Sequence, residues 1–211
     1  MTTVVFDLGQ VVVDWDPYRT QIGFLSPVEW DEFLTRTDFW AFNQTLDAGR
    51  DLSEARQWFA RHYPADVCVF DRYVARFPAS IRGTVSGIES IINDLRAFSV
   101  PTAVLSNWPA DLFHYALEQI PIIETLGHRI VSGEVGIVKP DRDIFELLLN
   151  QLDLRACNTV FIDDNLDNIE VALRVGIDAI HFTDATALRE ELVARRLIPH
   201  AGTSVTAHGR D

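Results

Sequence analysis

Short apolar runs that alternate with helical patterns constrain this chain more than any other feature. Thr3–Phe6 (TVVF), Pro101–Leu105 (PTAVL), Asn158–Ile162 (NTVFI) and Ala179–Phe182 (AIHF) are rich in β-branched and aromatic residues and read as buried strands. A weaker run lies at His128–Val131, and helical patterns occupy Ile88–Phe98, Arg142–Leu152 and Asn168–Val175. Strands alternating with helices predict an α/β fold, a Rossmann-like doubly wound parallel sheet with both faces covered. Ligand sites in such sheets form in the crevice beyond the carboxyl ends of the strands. The polar residues that follow each run are therefore the candidates for chemistry.

Between about Trp15 and Gly87 the pattern changes to helices only, over Pro27–Thr35, Asp38–Gly49, Ser53–Tyr63 and Asp66–Phe77. A small helical block inserted after the first strand predicts a cap above the strand ends. The expected division is a core of 1–14 and 88–198, a cap of 15–87 and a polar, aperiodic tail of 199–211. The dense aromatics of the insert (Trp30, Phe33, Phe39, Phe42, Phe59) read mainly as the core of a helix bundle. Trp15, Trp40, Asn43, Arg50 and Trp108 are the candidates to face a ligand.

A chain of 211 residues suits one α/β core with a small insert. Its formal net charge of −13 offers no basic surplus for nucleic acid. A small phosphate ligand stays compatible, because one lysine and one metal ion outweigh the global field locally. The two cysteines, Cys68 and Cys157, lie far apart without zinc-ligand spacing, which predicts neither a disulfide framework nor a zinc site. No signal-peptide pattern is present, and no apolar run approaches the ~20 residues that span a bilayer. A soluble cytoplasmic protein is expected, with no membrane partner. Its oligomeric state is not legible from the sequence.

Four polar clusters follow the runs. Asp7-Leu8-Gly9 follows the first, where a carboxylate before a glycine turn is either open to a ligand or an ordinary turn residue. Ser106-Asn107 follows the second, with side chains suited to an anionic oxygen or to capping a helix. Lys139-Pro140 precedes a helix and is either an anion contact or a surface charge. Asp163-Asp164 follows the run NTVFI; adjacent carboxylates there are costly unless a cation or hydrogen bonds compensate them. Oxygen-only ligands of this kind suit Mg²⁺.

The order Asp, Ser-Asn, Lys-Pro, Asp-Asp, each after a strand, resembles the four motifs of the haloacid dehalogenase superfamily. The resemblance covers Thr3 to about Phe182, with the helical insert where that family carries a small cap. It implies a magnesium-dependent phosphatase acting on a small phosphorylated metabolite. Asp7 would attack phosphorus and become an aspartyl phosphate. Asp7, Asp164 and the backbone carbonyl of Gly9 would hold Mg²⁺, with Asp163 in support. Ser106, Asn107 and Lys139 would bind the phosphoryl oxygens, and Lys139 would also offset charge in the transition state. The start FDLGQV, the segment DDNLDNIE and the stretch from Phe42 to Arg50 are similar to the bacterial α-D-glucose-1-phosphate phosphatase subgroup, which extends the expectation to a sugar 1-phosphate.

One position departs from the pattern. Phosphatases of this family carry a second Asp, the general acid and base, where this chain has Gly9. Loss of such a group is worth ~10²–10⁴ in rate, about 3–5 kcal/mol of barrier. That predicts a preference for activated leaving groups, such as an anomeric or acyl oxygen. Asp14 and Asp16 are candidates to replace the missing carboxyl; bracing the loop and capping a helix before Pro17 are their ordinary roles. Two other functions stay open. A 2-haloacid dehalogenase also lacks the second Asp but has no use for the Asp163–Asp164 pair. A binding protein that kept the fold and lost turnover has no need for Asp7, Ser106, Lys139 and Asp164 together.

Overall fold

The computed structural model describes residues 1–199, so the expected tail beyond Pro199 lies outside the described residues. In chain order the elements begin with β1 (Thr3–Phe6) and β2 (Val13–Trp15). Four helices follow: α1 (Pro27–Thr37), α2 (Phe39–Asp47), α3 (Leu52–His62) and α4 (Val67–Ala75). Then come β3 (Ile81–Thr84), α5 (Ile88–Ala97), β4 (Thr102–Ser106), α6 (Ala110–Gln119), β5 (His128–Val131), α7 (Ser132–Val135) and α8 (Arg142–Gln151). The chain closes with β6 (Thr159–Asp163), α9 (Leu166–Arg174), β7 (Asp178–His181) and α10 (Ala185–Ala194).

Five strands form one sheet in the order β5-β4-β1-β6-β7, and every pairing in it is parallel. Every residue of β1 and of β6 is buried, as helices on both faces require. The two-residue period of a strand divides its side chains between two apolar clusters. Val4 and Phe6 join Val104 and Ile162 against α5, α6 and α10. Val5 joins Leu105 and Phe161 against α8 and α9 on the opposite face. The doubly wound reading therefore holds, and no helix among the described residues is long and apolar enough to cross a membrane.

The four expected helices of the insert form within a few residues of their expected ends. Ser26 starts α1 with a reciprocal cap: its Oγ accepts from the Glu29 N–H, and its own N–H donates to Glu29. Stacked Trp30–Phe33 and Phe59–Phe70 pairs, with ring centroids 5.2 Å apart, fill the bundle. The aromatics there are mainly core, as expected.

The reading of the insert as helices only is corrected by β3, which pairs antiparallel with β2 through Val13–Thr84 and Trp15–Ile81. Ile81-Arg82-Gly83-Thr84 has little apolar character of its own, so tertiary pairing rather than local propensity makes it a strand. The ribbon clamps both ends of the helical insert. Asp14 braces it through Arg82 at 3.4 Å, while Asp16 stands before the 3-10 turn at Pro17 without a side-chain capping bond.

Candidate active site

The strand order β4-β1-β6 puts Ser106, Asp7 and Asp163 side by side at the carboxyl edge, since two of these residues end their strands and Asp7 follows β1 directly. Asp7 is held at one oxygen only. Its Oδ1 accepts from Ser106 Oγ at 2.9 Å and from Lys139 Nζ at 2.8 Å. Its Oδ2 has no hydrogen-bond donor among the described residues. The same ammonium donates to Asp163 Oδ2 at 2.6 Å, so Lys139 bridges two carboxylates while only 2% exposed. An amide clasp fixes it: Asn107 donates to the Lys139 carbonyl and accepts from its N–H, both at 2.8 Å.

Asp163 is fully buried and well satisfied. Besides Lys139, it accepts from the backbone N–H of Asn165 at 2.8 Å and from the Asn168 amide at 2.9 and 3.0 Å. Asp164 is exposed beside it. Carboxylate oxygens of Asp7, Asp163 and Asp164 lie within 4.8 Å of one another. Three carboxylates and one ammonium sum to a formal charge of −2, which a single divalent cation balances. The donor set is oxygen only, and it fits a hard cation such as Mg²⁺.

The electrostatics report the same crowding. Burial pushes the Asp7 carboxyl up to about 6; Lys139 opposes this, and Asp163 and Asp164 add to it. Asp164, exposed as a residue, has its carboxyl raised by partial desolvation at the cluster first and then by Asp163. Burial pulls Lys139 down, but Asp7 and Asp163 reverse this and leave it above the ordinary lysine value.

Above the carboxyl edge lies a cleft of about 320 Å³, walled on the far side by the insert. Asp7, Gly9, Asn107, Lys139 and Asp164 line it. Ser106 is 1% exposed and sits behind Asp7 rather than on the cleft wall. Asp163 likewise lies behind, holding Lys139. Of the candidates to face a ligand, Trp15, Trp40, Asn43 and Trp108 line the cleft. Arg50 does not; its guanidinium packs over Trp58 at 5.4 Å and Phe42 at 6.0 Å. Asp14 and Asp16 are also absent from the lining. The buried indole N–H of Trp108 has no acceptor among the described residues.

Three contributors were not singled out from sequence. Asn168 lies within the segment DDNLDNIE, where its five-residue offset from Asp163 is the only hint of their contact. Asp47 and Tyr73 come from α2 and α4, and they reach the cleft only because those helices fold over it. At Gly9 an added Cβ would meet nothing nearer than Asp7 Oδ2, at 4.0 Å, so the position has room for a side chain.

Comparison with known proteins places the chain in a family. Residues 1–176 match the family model for haloacid dehalogenase-like hydrolases. A sesquiterpene phosphatase of Aspergillus oryzae is 33% identical over 103 residues, 49% of this chain and 53% of that protein. The chain thus aligns with only about half the length of that relative. A validoxylamine A 7'-phosphate phosphatase of Streptomyces hygroscopicus is 27% identical over 157 residues, 69% of this chain and 73% of that one. Among solved structures, a HAD family enzyme of Bacteroides thetaiotaomicron, crystallised with magnesium and inorganic phosphate, superposes with a TM-score of 0.69 at 18% identity. That match covers 87% of this chain and 95% of the other. With the family model spanning most of the chain and the fold shared, this protein belongs to the haloacid dehalogenase-like hydrolases.

Proposed function

We propose that the protein is a magnesium-dependent phosphatase of a small phosphorylated metabolite, working through an aspartyl phosphate on Asp7. The observation that carries this reading is the half-held nucleophile. Ser106 and Lys139 fix one oxygen of Asp7, and its other oxygen has no hydrogen-bond donor among the described residues while Asp7 lines the cleft. Asp7, Asp164 and the Gly9 carbonyl would hold the metal, with Asp163 in support. Magnesium, when bound, would neutralise charge on the phosphoryl oxygens. Lys139 would offset the negative charge that develops on phosphorus oxygens, in a buried setting where such a contact counts for more than in water. Ser106 and Asn107 hold the nucleophile and the lysine in register; Asn107, which lines the cleft, is the further proposed contact to the phosphoryl group, whereas Ser106, expected in that role, lies buried behind Asp7.

For the rest of the substrate, the cleft is near the lower end of ligand-site volumes. Trp15 and Trp40 meet edge to face at 6.1 Å, and Gln10, Asn43 and Gln44 line the cleft with them. Aromatic faces flanked by amides suit a polyhydroxyl ring, which supports a sugar 1-phosphate. The additional rings of Tyr73, Phe77 and Trp108 favour a second reading, a terpenoid phosphate, and a relative named as a sesquiterpene phosphatase agrees with it.

The test is phosphate release from p-nitrophenyl phosphate with magnesium, with EDTA, and by Asp7→Asn. Release that needs both magnesium and Asp7 is expected; glucose 1-phosphate and farnesyl phosphate then separate the two substrate readings. No release from folded protein, or release untouched by Asp7→Asn, would overturn the proposal.

A further inference from the structure

The departure at Gly9 leaves a proton to be accounted for, and the far wall of the cleft holds a carboxyl in a position to supply it. In-line displacement at phosphorus sends the leaving oxygen away from the nucleophile. With Asp7 at the floor, that oxygen departs toward the insert. Asp47 is the last residue of α2 and lines the cleft on that side. The other titratable groups on the lining are otherwise engaged. Lys139 bridges two carboxylates, Asp164 belongs to the carboxylate cluster, and Tyr73 donates its proton to Asn43 Oδ1 at 3.1 Å.

Asp47 is poorly placed to serve the fold alone. A carboxylate at a helix C-terminus meets the negative end of the helix dipole. It shares the cleft lining with Tyr73, whose ring packs on Phe39 at 5.1 Å. Its one hydrogen bond among the described residues comes from Asn43 Nδ2 to Oδ2 at 3.3 Å, which leaves Oδ1 without a partner. Tyr73, Asn43 and Asp47 thus form a relay of side chains that ends at the cleft.

We propose that Asp47, presented by the insert, is the general acid and base that Gly9 cannot provide. In the first step the P–O bond to the leaving group breaks as Asp7 bonds phosphorus, and the Asp47 carboxyl proton passes to the leaving oxygen. In the second step water attacks phosphorus and gives a proton to the Asp47 carboxylate. The Asp7–phosphorus bond then breaks, inorganic phosphate departs and Asp47 is again protonated. Burial raises Asp47 to about 7 against the hydrogen bond from Asn43, with Asp7 raising it further and Lys139 opposing, so both forms are populated near neutral pH. With Asp47 in this role, the restriction to activated phosphates expected from Gly9 alone is lifted.

This inference rests on the phosphatase reading, and the experiment separates the two. Wild type and Asp47→Asn are compared on glycerol phosphate and on 2,4-dinitrophenyl phosphate, with folding checked by melting. Loss of ~10²–10⁴ is expected on the alkyl ester. On the dinitrophenyl ester the first turnover should fall by less than about tenfold, because that leaving group needs no proton. Phosphorylated Asp7, trapped with hydroxylamine and read by mass spectrometry, should accumulate in the variant as its hydrolysis loses the base. Gly9→Asp in the Asp47→Asn background should recover alkyl-ester turnover. Equal losses on both esters without accumulation, or no loss on either, overturn the role of Asp47 and leave the phosphatase reading standing. A wild type that releases no phosphate from either ester overturns both.

Discussion

Replacing Lys139 by methionine removes the ammonium that Asp7 and Asp163 share at 2.8 and 2.6 Å. Methionine keeps most of the side-chain volume, so the loss is electrostatic rather than a cavity. Removing one partner of a buried ion pair costs about 3–5 kcal/mol, because the remaining charge is left uncompensated. In a chain of this size each kcal/mol shifts Tm by about 2–4 °C, so the variant should melt roughly 6–20 °C lower at pH 8. The pH dependence has a definite sign. Burial already pushes Asp7 up to about 6 against the opposing lysine, and without that lysine it rises further. A carboxylate with a raised folded pKa destabilises the fold while ionised, and the penalty fades as pH falls through that pKa. The gap between variant and wild type should therefore narrow from pH 8 to pH 5. Thermal and urea melts of the full chain, without divalent metal, measure it. A deficit under about 1 kcal/mol, or one equal at both pH values, would refute the reasoning.

Three further expectations concern stability. Asp47→Asn removes a carboxyl raised from 3.8 to about 7, so it should stabilise the fold by up to about 4 kcal/mol at pH 8 and by less than about 2 at pH 5; melts in which the variant is less stable at pH 8 would contradict this. Gly133→Ala drives a Cβ to 2.4 Å from Ala110 N and 2.7 Å from the Trp108 carbonyl, both backbone atoms. It should cost about 1–3 kcal/mol in urea unfolding. Ser26→Ala breaks the reciprocal cap on α1 and should cost about 0.5–2 kcal/mol, with Ser26→Gly milder.

The sheet and the floor of the site were legible because both are written in short stretches of chain. Thr3–Phe6 announces a strand buried on two faces, and Asp7 directly after it must emerge at the carboxyl edge. The same logic holds for Ser106 and Asp163 at the ends of β4 and β6, and Asn107 and Asp164 follow them. The wall of the site was not legible, because contacts between distant segments decide it. The β2–β3 ribbon joins residues 66 and 71 positions apart, and α6 and α10 take their identity from the sheet face they cover. Arg50 and Asp47 stand three residues apart, yet one packs on Trp58 and the other lines the cleft together with Asp7. Local periodicity tells a residue whether it will be buried. Which partner it is buried against depends on how the helices of the insert close over the sheet, and that closure brings a carboxyl from α2 to a site whose own first motif ends in glycine.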